Sequence, residues 1–188
     1  MKTRWQKLVC EGRNRSGFTL IEMLIVIIIL GILAMVIIPQ ITVSTEDAKV
    51  STLKTNLTGV RGTIEVYYAQ HNMTYPGTKT DGTNAANLPI TFVNQLTQFT
   101  NVAGLIKGTK DEVNGYIYGP YIKGGILPAN PFVDDTTKNN QVTVALTADV
   151  TTARTVLSGG TGWSYWPAVG VFYANDGLSS NSVAHLTY

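Results

Sequence analysis

The chain has one cysteine, Cys10, two histidines, His71 and His185, and charged side chains at only 14% of its 188 positions. A single thiol closes no disulfide within the chain and excludes multi-cysteine metal sites. The two histidines lie far apart and carry no ligand spacing. Typical soluble domains are about 25% charged; here the shortage is local, because the apolar residues are concentrated in one block near the N-terminus. A net charge of +2 is too small to imply nucleic acid or anionic lipid as a partner on composition alone. Ser164 has no Gly-x-Ser-x-Gly frame around it. Gly104 to Lys110 lacks the six-residue frame of a phosphate loop. These absences argue against a soluble cytosolic enzyme. What is present is 25 Thr and 18 Gly, which suits a β-rich, turn-rich body. The length allows one domain and a short appendage.

The informative region is the first forty residues. Lys2, Arg4, Lys7, Arg13 and Arg15 face one acid, Glu11. From Met23 to Ile38 no polar side chain occurs, and Leu20 to Ile38 spans 19 residues. As a helix that is about 28 Å, enough to cross a bilayer core of about 30 Å. The basic flank predicts an N-terminus held in the cytoplasm. A cleaved secretory signal needs a shorter apolar stretch and a small-x-small site, and Pro39-Gln40-Ile41-Thr42-Val43-Ser44 offers a poor one. A plain anchor explains length and flank but leaves Glu22, at the start of the apolar block, in the headgroup zone without a task.

A third reading rests on Gly17-Phe18-Thr19-Leu20-Ile21-Glu22-Met23-Leu24-Ile25-Val26. With Gly before Phe, Glu at the fifth position counted from that Phe, a basic leader and an unbroken apolar helix behind, it resembles the class III leader junction of type IV pilins and type II secretion pseudopilins. The resemblance implies a cut between Gly17 and Phe18 by a prepilin peptidase, N-methylation of Phe18, and a retained helix. It divides the chain into a cleaved leader 1–17, a transmembrane and assembly helix 18–40, and a globular domain 41–188 outside the cytoplasm. Glu22 would pair with the Phe18 amine of an adjacent subunit, because a carboxylate in apolar surroundings demands an ionic partner. That pairing would set the axial register of self-associating helices. The implied partners are sister subunits, the peptidase, the inner-membrane assembly machinery and the membrane, with no nucleic acid.

Pro39 either ends the helix or kinks it. Val50, Leu53, Leu57, Val60, Ile64 and Tyr67 recur at spacings of three and four, which predicts a helix from about Ser44 to Asn72 with one apolar stripe. The stripe serves either docking on the chain's own sheet or a coiled-coil seam. After Tyr75-Pro76-Gly77 the helical pattern stops. Asp81 to Asn87 is expected to be a mobile polar loop, and Pro89 to Phe99 fits a short helix or a strand equally. Tyr116 to Ile122 reads as extended, Ile126 to Phe132 as a proline-pinned loop, and Gln141 to Leu146 as a strand. Gly162 to Asn175 is the clearest hairpin, two aromatic runs around Pro167-Ala168-Val169-Gly170, followed by a turn at Asn175-Asp176-Gly177. The Tyr-Pro and the Trp-containing hairpin resemble the G-type pseudopilin body. The expected fold is α+β, a long N-terminal helical spine whose C-terminal half packs on a small antiparallel sheet.

Asp134-Asp135 and Asn175-Asp176, with Ser179 and Ser180, offer oxygens for calcium. The resemblance implies such a site in a C-terminal loop, yet turns are naturally rich in these residue types, and no other cofactor is expected. His71, near the helix end, reads as a cation or polar cap, and the tyrosines at 67, 68, 75, 116, 118 and 121 as core. No catalytic residue is expected. The functional expectation is a structural filament subunit of a pilus or pseudopilus; the alternative is a minor or tip pilin acting as adhesin or DNA-uptake receptor.

Overall fold

The computed structural model describes residues 17–146, 160–180, 183–185 and 188, with backbone alone at 36–44, 179, 180 and 183. Expectations for the leader before Gly17 and for the Pro39 side chain lie outside the described residues. The chain forms two compact units, Met1–Val43 and Ser44–Tyr188.

Helix α1 is assigned over Leu20–Gln70, so its assignment continues past Pro39 rather than ending there. In the first unit every apolar side chain from Leu20 to Met35 is exposed. Among the described residues no helix is long and apolar enough to cross a membrane. The sequence run that suggested a span continues to Ile38, beyond the described side chains.

In the second unit, α1 buries the predicted stripe. Val50, Leu53, Leu57, Val60, Ile64 and Tyr67 are all buried, and all but Val50 join one core with Phe92, Leu96, Leu127, Val142, Trp163, Tyr165, Phe172 and Ala174. The stripe therefore docks on its own domain, because those apolar partners lie within the same chain and remove it from water. Helix α2, Pro89–Thr97, settles the ambiguous segment as helical. Its proline sits in the first turn, where the missing N–H has no intrahelical role, and it buries Phe92, Gln95 and Leu96. Gln95 makes a polar tie inside this core, its Oε1 accepting from Gly77 N–H (2.7 Å) and its Nε2 donating to the Gly104 carbonyl (2.9 Å).

Among the described residues seven short strands follow: β1 Phe99–Thr100, β2 Ile106–Lys107, β3 Val142–Val144, β4 Trp163–Trp166, β5 Val171–Ala174, β6 Ser179–Ser180 and β7 Val183–Ala184. β1 pairs with β2 and β6 with β7, both antiparallel. The main sheet has the order β3-β4-β5. Its β4–β5 hairpin is antiparallel with Tyr165 opposite Phe172 and Trp166 opposite Val171, as the aromatic runs predicted. β3 runs parallel to β4, which makes this sheet mixed. The fold is thus α+β with a helix followed by a β-containing body. Tyr116 to Ile122 forms no named strand; it makes only bridges, Tyr118 to Thr100 and Tyr116 to Asp111.

Gly170 shows why the hairpin turn ends on glycine. Its φ is +70°, and a Cβ there would lie 2.3 Å from a Tyr75 ring carbon. The tips of the hairpin and of the post-helix loop meet only because that side chain is missing.

Candidate assembly and processing site

Gly17 and Phe18 precede α1 in exposed chain outside any regular element, and Phe18 is 78% exposed. An open glycine before an open aromatic residue gives a protease unobstructed backbone. Thr19 caps the helix. Its N–H and its hydroxyl both donate to Glu22 Oε2 at 2.7 Å, and Glu22 N–H returns a bond to Thr19 Oγ1 at 3.3 Å. This reciprocal pattern is a capping box. It holds the carboxylate at the first turn, where the helix dipole favours negative charge. The Thr-x-x-Glu spacing of this box, Thr19 to Glu22, is itself a sequence signal for the helix start. Leu20, Ile21, Met23 and Leu24 surround the carboxylate along the chain with exposed apolar surface.

The cation candidates are distributed differently. Asp135 Oδ1 accepts from Thr137 N–H (2.9 Å) and Thr137 Oγ1–H (2.6 Å), with Lys138 at 3.6 Å. These bonds hold its carboxyl below the usual range. Asp134 is exposed. Asp176 instead bonds Asn130 and His185, and Asn175 Nδ2 donates to Thr161 Oγ1 (3.1 Å). Among the described residues no group of three His, Cys, Asp or Glu side chains gathers to hold a metal ion. Asn130 and His185 carried no signal at the level of sequence, since Asn130 and Asp176 are 46 residues apart.

Two polar groups are more deeply built in than their sequence suggested. His71 is buried rather than a charged cap. Its ring stacks on Tyr67 at 3.7 Å, Nδ1–H donates to the Tyr67 carbonyl (2.8 Å), and Nε2 accepts from Thr100 Oγ1–H (2.9 Å). Burial pushes its pKa down, against the hydrogen bonds to the Tyr67 and Asn101 backbone that push it up. Burial likewise raises Tyr67, and it lifts Tyr121 to about 12. Asp81, in the loop expected to be mobile, is buried and accepts from Thr83 N–H, Asn84 N–H, Asn84 Nδ2 and Asn94 Nδ2. Burial opposes its ionisation, but those donors hold its pKa below the ordinary value. The loop is therefore an internally bonded turn.

The family model for the prokaryotic N-terminal methylation motif matches residues 12–38. Type II secretion system core protein G of Pseudomonas aeruginosa is 39% identical over 69 residues, 37% of this chain and 48% of that protein. Its counterpart in Aeromonas hydrophila is 33% identical over 69 residues, covering the same shares. The chain thus spans about half the length of these two relatives. Core protein G of Vibrio cholerae is 29% identical over 123 residues, 65% of this chain and 69% of that protein. No solved structure matches. The chain carries the N-terminal methylation motif of a prepilin leader and is similar to the major pseudopilin of type II secretion.

Proposed function

We propose that this chain is a structural subunit of a type II secretion pseudopilus, stored in the inner membrane and polymerised through its N-terminal helix. The observation that carries the reading is an apolar helix, exposed side chain by side chain from Leu20 to Met35, with one carboxylate in its first turn directly after Gly17-Phe18. A face of this size has no place in water. It is suited first to lipid and then to sister helices. On the sequence, the apolar run extends to Ile38 and reaches the length of a bilayer core.

Prepilin peptidase cuts between Gly17 and Phe18 at the cytoplasmic face and the new Phe18 amine is methylated. The rest of the body lies outside the cytoplasm. In the membrane-held subunit, the Thr19 donors keep the Glu22 charge hydrogen-bonded. In the filament, the Phe18 amine of a neighbour supplies the cation. A helix displaced along the axis would bury Glu22 without that partner, so the pair selects one register. Pro39 is the point at which the retained helix adapts its path between membrane and filament. The relatives are named as type II secretion system core proteins.

Mass spectrometry of the processed chain tests this directly. The expected species begins at Phe18, is 171 residues long and carries one N-terminal methyl group. An intact leader, or a cut on the far side of the apolar run, overturns the proposal.

A further inference from the structure

Of the residues that offered calcium ligands, Asp135, Asn175 and Asp176 are bonded within the fold and Asp134 is exposed. The side chains of His185 and Asp176 are 0% and 1% exposed. Asp176 Oδ1 accepts from Leu178 N–H (2.9 Å) and Oδ2 from Asn130 Nδ2–H (2.9 Å). His185 Nδ1 lies 3.1 Å from both carboxylate oxygens. Because a carboxylate only accepts, that nitrogen carries the proton and shares it between them. The Asn130 amide is fixed from both sides: Oδ1 accepts from Phe132 N–H (2.9 Å), and Nδ2 also donates to the Gly162 carbonyl (2.9 Å). A carboxylate has about four lone-pair directions, and these four contacts take them up. Calcium takes about six to eight oxygens at about 2.3–2.6 Å. Placing it on Asp176 would require displacing the His185 and Asn130 donors from the carboxylate. Asp135, meanwhile, is turned to Thr137 and Lys138. Among the described residues, these side chains do not fit a calcium site; the Ser179 and Ser180 side chains lie outside the described residues.

We infer that Asp176, His185 and Asn130 form a metal-independent latch that closes the C-terminal segment. Asp176 is the centre of the latch: Asn130 joins it to the proline-pinned loop and to the start of β4 at Gly162, and His185 joins it to the chain beyond β7. His185 N–H bonds the Leu178 carbonyl (2.9 Å), which closes the β6–β7 ribbon on itself. The imidazole packs on Phe132 with ring centres 4.1 Å apart. A proton-carrying imidazole and an amide thus supply the positive ends that a cation would supply elsewhere.

The test uses the full chain in detergent, followed by circular dichroism on heating and by limited proteolysis. In the unaltered chain, millimolar calcium and a chelator should give the same melting midpoint. Asp176→Asn and His185→Gln should each lower that midpoint by about 5 °C or more, equally with and without calcium. Both should speed cleavage between residues 178 and 188. The double variant should fall little further than the worse single one, because both lose one latch. A calcium-dependent rise in the unaltered chain overturns the inference, as does a midpoint unmoved by either substitution. The calcium arm reads out even if a variant fails to fold.

Discussion

At the residue scale, Glu22 and His71 show opposite treatments of charge. Glu22 stands at an exposed helix start, its carboxylate accepting the Thr19 capping bonds. Replacing it with Ala removes the group proposed to set the register and leaves the apolar run untouched, so membrane insertion should persist while filament yield falls at least tenfold, about 1.4 kcal/mol in assembly. Membrane fractionation and electron microscopy of sheared filaments check this, and normal filaments would refute it. His71 is the reverse case, a titratable group kept neutral among Tyr67, Tyr118, Tyr121 and Thr100. Its folded-state pKa lies below the unfolded one. Protons therefore bind the unfolded chain more readily, and the contribution of neutral His71 is fully present above about pH 6.5 and is lost as pH falls below it. Denaturation midpoints measured from pH 7.5 to 5 should decline in the unaltered chain, and the decline should be shallower in His71→Phe. Equal slopes would show that this group does not report the pH.

The elements are held by tertiary burial more than by their own propensity. In α1, Leu57 is 1% exposed inside the core, and Leu57→Ala should cost about 2–5 kcal/mol. Two turns of the same helix carry exposed Gly59 and Gly62, where an added Cβ would meet nothing within 4 Å. Each Gly→Ala change should therefore stabilise the isolated subunit by up to about 1 kcal/mol, raising its midpoint by about 2–4 °C. Urea titration of the three variants separates the two effects by sign. A destabilising Gly59→Ala would mean that the glycine serves a backbone need the helix geometry does not reveal. The β4–β5 hairpin follows the same logic. Trp163, Tyr165 and Trp166 are wholly buried, with Trp163 Nε1 donating to the Pro128 carbonyl (2.8 Å) and Tyr165 OH to the Pro76 carbonyl (2.9 Å). Trp163 and Tyr165 thus bring their polar atoms to loop carbonyls, whereas Trp166 Nε1 is buried with no hydrogen-bond partner among the described residues.

At the scale of the whole molecule, the core assembled from Leu53 to Ala174 lies entirely within Ser44–Tyr188. A chain begun at Ser44 should therefore fold by itself, with a cooperative melting transition and the near-ultraviolet dichroism expected of immobilised Trp163 and Trp166. A non-cooperative transition would place part of the fold's stability in the first unit. The same truncation should abolish membrane association and incorporation into filaments, because it removes the exposed apolar helix and Glu22 together.

Features set by local pattern were legible in the residues. The leader junction at Gly17-Phe18, the apolar stripe from Val50 to Tyr67, and the aromatic hairpin around Pro167 to Gly170 each depend on neighbours within a few positions, so spacing alone carries them. The sequence determined a chain with an uninterrupted apolar run near its N-terminus and a β-containing body that buries a second helical stripe. The tertiary structure decided what depends on distant encounters: the parallel placement of β3 beside β4, the neutral His71 against Thr100, the bonded Asp81 loop, and the union of Asn130, Asp176 and His185. Those pairings are set by which buried polar atoms must find partners after the core has closed, and periodicity in a one-dimensional string does not encode that choice.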